Sequence, residues 1–271
     1  MYPLWNRWDW SPGILIPLAL FAVLYAAGLR RRRGRPGRGA RHAAFFGALF
    51  AVFAALCSPL DDLSEHLFWV HQVQHLILAM LVPILIMLAA PQAVLIAGLP
   101  APLRHRLLPR LITSAPVRVL FGALTHPAVA TALLMAALDV WQIPRLHNAA
   151  LEDGALHEAM HASMLAAGLL FWWRVLDRRP PPVGAAILVR LWMLEIAWMM
   201  DSFIGAYLLS KETVLYDAYD HLGLVVSAMA DEALGGAVIW VGESLAFISA
   251  GLIVARRAMR QAATIPEPGH P

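Results

Sequence analysis

Residues 67–90 read LFWVHQVQHLILAMLVPILIMLAA, with no Asp, Glu, Lys or Arg among them. A run of this length crosses a hydrocarbon core of about 30 Å as a helix. The apolar residues are continuous rather than alternating, so a helix and not a strand is the reading. In lipid a helix also bonds its own backbone groups. His71 and His75 lie near the start of the run. Residues four apart project from one helix face, so the pair can grip one ion. A neutral imidazole is a ready metal ligand, and an unpaired polar ring inside lipid is costly. The same spacing recurs at His157 and His161 in ALHEAMHASML, residues 155–165.

The rest of the chain extends this pattern. Of 271 residues, 60% are hydrophobic and only 14% charged. Seven spans are expected, at about 11–29, 42–60, 67–90, 124–141, 156–175, 185–209 and 233–255. The fold class is therefore an all-α integral membrane protein, a bundle of about seven transmembrane helices. Pro17, Pro83 and Pro91 are expected to kink or end their helices. Residues 1–260 form one seven-span domain, with 222–232 extending the last helix outward. Residues 261–271 are read as a disordered tail.

Charge sets the orientation. Arg30, Arg31, Arg32 and Arg33 open the first loop, and Arg104, Arg106, Arg110 and Arg118 lie in the third. With the segments after the fifth and seventh spans, these regions hold 17 of the 21 basic residues. The opposite loops are acidic. This asymmetry places the N-terminus outside and the C-terminus inside. The basic balance thus reports topology and contact with a lipid bilayer, not nucleic-acid binding. Cys57 is the sole cysteine, so neither a disulfide framework nor a thiolate cluster is available.

On this topology the third and fifth spans both run from outside to inside, and both histidine pairs fall near the outer boundary. Together they offer up to four nitrogens if the spans meet. Met164 lies seven residues beyond His157 and shares its face, and a thioether among imidazoles suits Cu(I). Asp139, Asp201, Asp231 and Glu232 gather towards the same end. They are candidate ligands, partners that orient the imidazoles, or proton acceptors. His147 follows the fourth span in a loop. Gly235 and Gly236 are expected to permit close helix packing.

Two other chemistries fit parts of the pattern. His157-Glu158-Ala159-Met160-His161 matches the H-E-x-x-H of zinc proteases, in which the glutamate is the general base. Asp201 or Asp231 would then supply a third zinc ligand, and His71 and His75 would be unexplained. A bis-histidine haem would use one member of each pair and leave the other over. No phosphate-cradling glycine motif and no nucleophile elbow is present.

LDDLSEHLFWVHQVQHLILAMLVPILIMLAAP, residues 60–91, resembles the most characteristic stretch of the multi-span CtaG-type cytochrome c oxidase assembly factors. Trp141-Gln142-Ile143-Pro144, the LHEAMH helix, Leu215-Tyr216-Asp217-Ala218-Tyr219 and the stretch from Asp231 to Trp240 also fit, in the right order. The resemblance implies a multi-pass protein of the bacterial inner membrane that holds or delivers copper for a terminal oxidase rather than catalysing turnover. His71, His75, His157 and His161 are the matching metal candidates, and Asp231 a matching acid. The implied partners are an oxidase subunit and a periplasmic copper donor. The chain departs from the family pattern at Gln142, where histidine is common, and at Glu232, where glutamine is.

Overall fold

The structure is a computed structural model that describes residues 7–32, 39–177, 179, 184–221 and 226–262. Every regular element among them is helical. In chain order these are α1 (Pro12–Arg31), α2 (Gly39–Cys57), α3 (Pro59–Ser64), α4 (Phe68–Leu76) and α5 (Val82–Ala89), then α6 (Gln92–Gly98), α7 (Leu108–Thr113), α8 (Ala115–Leu124) and α9 (Pro127–Asp139). The last five are α10 (Pro144–Glu152), α11 (Gly154–Leu176), α12 (Ile187–Ser210), α13 (Ala228–Ala237) and α14 (Glu243–Ala262). Most of the expected tail lies outside the described residues, and α14 continues to Ala262 where the tail was expected from 261. Only part of the expected outward extension at 222–232 is described, and there α13 begins at Ala228.

Among the described residues, five helical segments are long and apolar enough to cross a membrane, and they coincide with the first, second, third, fifth and seventh expected spans. The fourth expected span is α9 with a following 3-10 turn, bent by 77° into α10. The sixth is α12, whose 24 residues extend about 36 Å at 1.5 Å each. It is less apolar because it carries Arg190, Glu195 and Asp201. Residues 91–123, expected as a loop, are largely helical instead, and 103–113 is bent by 67° against α8. Arginines mark a side of the membrane but do not prevent a helix.

The third span is one rod with a π-helical turn, Ile77–Leu81, between α4 and α5. Pro83 follows that turn and has no N–H to return to the carbonyl of Ala79, four residues back. Trp172 of α11 fills the gap, donating its indole N–H to Ala79 O at 3.1 Å. Gly168 makes room for this approach, since a Cβ there would collide with the same carbonyl and with Pro83. Pro91 ends the rod, with Ala90 in the left-handed region at φ 47°.

This rod is the centre of the bundle. It packs against α11 and α13; α11 packs on α9, α9 on α12, and α12 on α13, closing a ring. α2 lies against α5 outside the ring, and α1 against α2 and α6. Gly236 and Gly205 meet across α12 and α13, as expected for a close crossing of small residues. The third and fifth spans are therefore in contact.

Candidate metal centre

Each histidine helix is held in place by an acid. Leu67 precedes α4 in extended conformation and offers no side-chain cap. Asp231 of α13 supplies one from across the ring, its carboxylate accepting the N–H of Phe68 at 2.9 Å and of Trp69 at 3.0 Å. A carboxylate there satisfies orphan donors and complements the helix dipole. His71 and His75 follow on that turn. On α11 the cap is local: Asp153 accepts from Ala155 and Leu156 N–H at 2.9 and 3.1 Å. His157 and His161 follow there.

Glu232 is a second anchor. It accepts the N–H of Leu215 at 2.9 Å and of Tyr216 at 2.8 Å, and forms an ion pair with Lys211. These contacts tie down the segment after α12, which carries Tyr216 and Tyr219 into the bundle. Asp231 and Glu232, expected as ligand-orienting or proton-linked acids, thus fix the backbone on which the site is built.

The histidine rings converge. His71 lies 4.3 Å from His75, 5.1 Å from His157 and 5.6 Å from His161 between ring centroids. His157 and His161 are 4.4 Å apart, and His75 and His161 5.5 Å. Ligand nitrogens of His71, His157 and His161 all lie within 4.8 Å of one another. Their Nε2 atoms are buried without a hydrogen-bond partner, as are both ring nitrogens of His75. Such orphaned polar atoms are uncommon in a folded protein. Metal–imidazole bonds of about 2.0–2.1 Å need nitrogens about 3.3–3.6 Å apart, so side-chain shifts of about 1 Å would bring the three onto one ion. The donor set fits copper or zinc.

A fifth ring joins them. His147, expected in a loop, lies on α10 beyond the 77° bend, fully buried and 5.0 Å from His71. Its Nδ1 bonds the Trp141 carbonyl at 2.9 Å and its Nε2 the Tyr219 hydroxyl at 2.6 Å. Tyr219 also bonds His71 Nδ1 at 2.9 Å. Neither partner has helical spacing to the others. The available signals were their places beside Trp141-Gln142-Ile143-Pro144 and within Leu215–Tyr219, both among the stretches that carry the family resemblance. Gln142 bonds Gln72 at 2.8 Å rather than entering the ring cluster.

Other candidates lie apart. Met164 is buried in the apolar cluster with Met80 and Met160. Asp201 is hydrogen-bonded to Glu243, with Asp139 as their electrostatic neighbour, in a separate carboxyl group next to the π-helical turn Val238–Gly242, which Glu243 follows. The side chain that stands third beside the HEAMH pair is thus His71; neither Asp201 nor Asp231 fills that position.

The cluster opens sideways. A cavity of about 640 Å³ lies between α1, α2, α5 and α11. His157, His161, Glu158, Asp61 and Asp9 are among its polar lining, and Phe21, Phe45 and Leu169 among its apolar lining. Burial pushes the Asp61 carboxyl up to about 7, opposed by the bond it receives from Gln74.

A helical membrane bundle in which histidine rings from two spans converge, with Nε2 atoms that lack a hydrogen-bond partner, is a membrane protein with a candidate metal centre. Within that class, this chain belongs to the cytochrome c oxidase caa3 assembly factor (Caa3_CtaG) family, whose model matches residues 23–261. It is a multi-pass protein of the bacterial membrane. Among similar curated proteins are uncharacterized proteins of Mycobacterium bovis and Mycobacterium tuberculosis, each 27% identical over 82% of this chain and 34% of their own length. An uncharacterized protein of Mycobacterium leprae is 23% identical over 89% of this chain and 38% of its own. The chain therefore spans about a third of the length of these relatives. No solved structure matches it.

Proposed function

We propose that this assembly factor holds copper at His71, His157 and His161, with His75 as a fourth nitrogen, and passes it to an oxidase subunit. The carrying observation is the set of bare Nε2 atoms on two helices, with ligand nitrogens within 4.8 Å. Copper is cargo here, so the chemistry is ligand exchange rather than bond making in a substrate. Imidazoles alone accept copper or zinc; the link of the family to cytochrome oxidase favours copper. With the N-terminus outside, the cluster lies at the outer end of the bundle, where a periplasmic donor would reach it. Asp9 and Glu158 make the opening acidic and attract a cation, over a range that salt limits to about 8–10 Å.

The test is metal content by mass spectrometry of detergent-purified protein after exposure to Cu(I) or Zn(II). Near-stoichiometric copper in the wild type, lost in His71→Ala and in His161→Ala, is expected. Glu158→Gln should retain copper, since Glu158 holds no place among the bare nitrogens. Zinc bound in preference to copper, together with peptide cleavage abolished by Glu158→Gln, would replace this reading with a metalloprotease.

A further inference from the structure

We infer that Tyr219 is a positioning residue that keeps the ring proton of His71 on Nδ1, leaving Nε2 as its coordinating nitrogen. The inference takes its purpose from the metal reading above, but its geometry stands without a metal.

Four groups form a chain: the Trp141 carbonyl, His147, Tyr219 and His71. Its direction follows from the first. A carbonyl oxygen only accepts, so His147 Nδ1 must carry a hydrogen and donate it. In a neutral ring Nε2 is then bare and accepts, so the Tyr219 hydroxyl donates to it at 2.6 Å. With its only hydrogen committed, the Tyr219 oxygen accepts from His71, 2.9 Å away, and His71 Nδ1 must carry the proton. His71 Nε2 is left with its lone pair, and it is this atom that is buried without a partner, on a ring that offers a nitrogen within 4.8 Å of those of His157 and His161.

The opposite direction requires His147 to donate from both nitrogens and so to be a cation. His147 is fully buried, and neither of its bonds goes to a carboxylate. An isolated charge in such a place is far costlier than a neutral ring. The chain therefore runs one way. An outer hydrogen bond of this kind fixes the tautomer and orientation of a metal-binding imidazole. Tyr219 is itself held by its segment, which Glu232 anchors through the Leu215 and Tyr216 N–H groups.

The experiment uses full-length protein, free of metal, with ¹⁵N-labelled histidine, and His71→Gln to assign the His71 signals. The expected wild-type spectrum shows His71 protonated at Nδ1 and bare at Nε2. Tyr219→Phe should shift that ring towards a mixture of tautomers and weaken Cu(I) binding about 10–100-fold. Tyr216→Phe is the control: it removes a 2.7 Å bond to the Gln142 carbonyl from the same segment. It should leave both the His71 tautomer and the affinity unchanged. A wild-type His71 protonated at Nε2 overturns the inference, as does an equal loss of affinity in Tyr216→Phe. The wild-type spectrum decides the matter even where Tyr219→Phe fails to fold. Failure of the wild type to bind either Cu(I) or Zn(II) would sink the metal reading while the spectrum still tests the chain.

Discussion

Leu67 stands where most helices place Ser, Thr, Asp or Asn, and the consequence is a cap borrowed from residue 231. Replacing Asp231 with Ala leaves the buried Phe68 N–H and the part-buried Trp69 N–H without their acceptor. Such a loss costs about 1–3 kcal/mol, and it loosens the turn that carries His71. Thermal unfolding in detergent should show the destabilisation, and copper affinity should fall with it. Asp231 was legible as important but not in its role, because a cap that crosses 163 residues leaves no local pattern. The visible trace was a helix start with an aliphatic residue at its cap. The i, i+4 histidines were legible because helical periodicity is a property of neighbouring residues; His147 and Tyr219 meet them only through tertiary structure. Asp61 carries a pH signature. In the folded protein its carboxyl titrates at about 7, against about 3.9 in an unfolded chain. Between those values the folded state retains a proton that the unfolded chain has released. Stability therefore falls as pH rises from about 4 towards 7, then levels. Asp61→Asn should flatten that decline and exceed wild type in melting temperature at pH 8; a wild type that gains stability over this range would contradict the assignment.

At the scale of elements, the third span shows how a proline becomes a contact. Its expected kink takes the form of a π-helical turn plus an unpaired carbonyl at Ala79, which Trp172 fills at 3.1 Å. Trp172→Phe should cost about 1–3 kcal/mol through that carbonyl, in addition to the packing lost with the larger ring. In a Pro83→Ala background the backbone N–H is restored and the carbonyl can regain a helical partner. The penalty of Trp172→Phe should then shrink, and a double-mutant cycle measures the coupling. Strict additivity would show that the tryptophan acts by packing alone. Pro83 was legible as an irregularity, whereas its partner, 89 residues away, was not. Residues 91–123 were misread as loop for a different reason. Four arginines and several prolines resemble a polar connection, yet α8 is a helix that exposes Val119, Leu120 and Phe121 beside Arg118. Basic and apolar residues on one exposed helix have the composition of an interfacial helix.

Across the whole molecule, hydropathy alone located the long apolar helices, because lipid requires each span to satisfy its own backbone. It did not contain their neighbours: that the third span lies between the second, fifth and seventh follows from packing, through small residues such as Gly168 and Gly235. The ring brings two histidine helices, the 77° bend that carries His147 and one anchored segment to a common point, and α1 and α2 flank the opening beside it. On the proposed function, copper at this point is bound through imidazole nitrogen from both α4 and α11. Copper K-edge X-ray absorption on the Cu(I)-loaded full-length protein tests it most directly. The expected result is a first shell of three to four nitrogens at about 2.0 Å, reduced in coordination number by His71→Ala and by His161→Ala alike. A shell dominated by sulfur would move the ion to the methionines around Met164, and an unchanged shell in both variants would contradict the site.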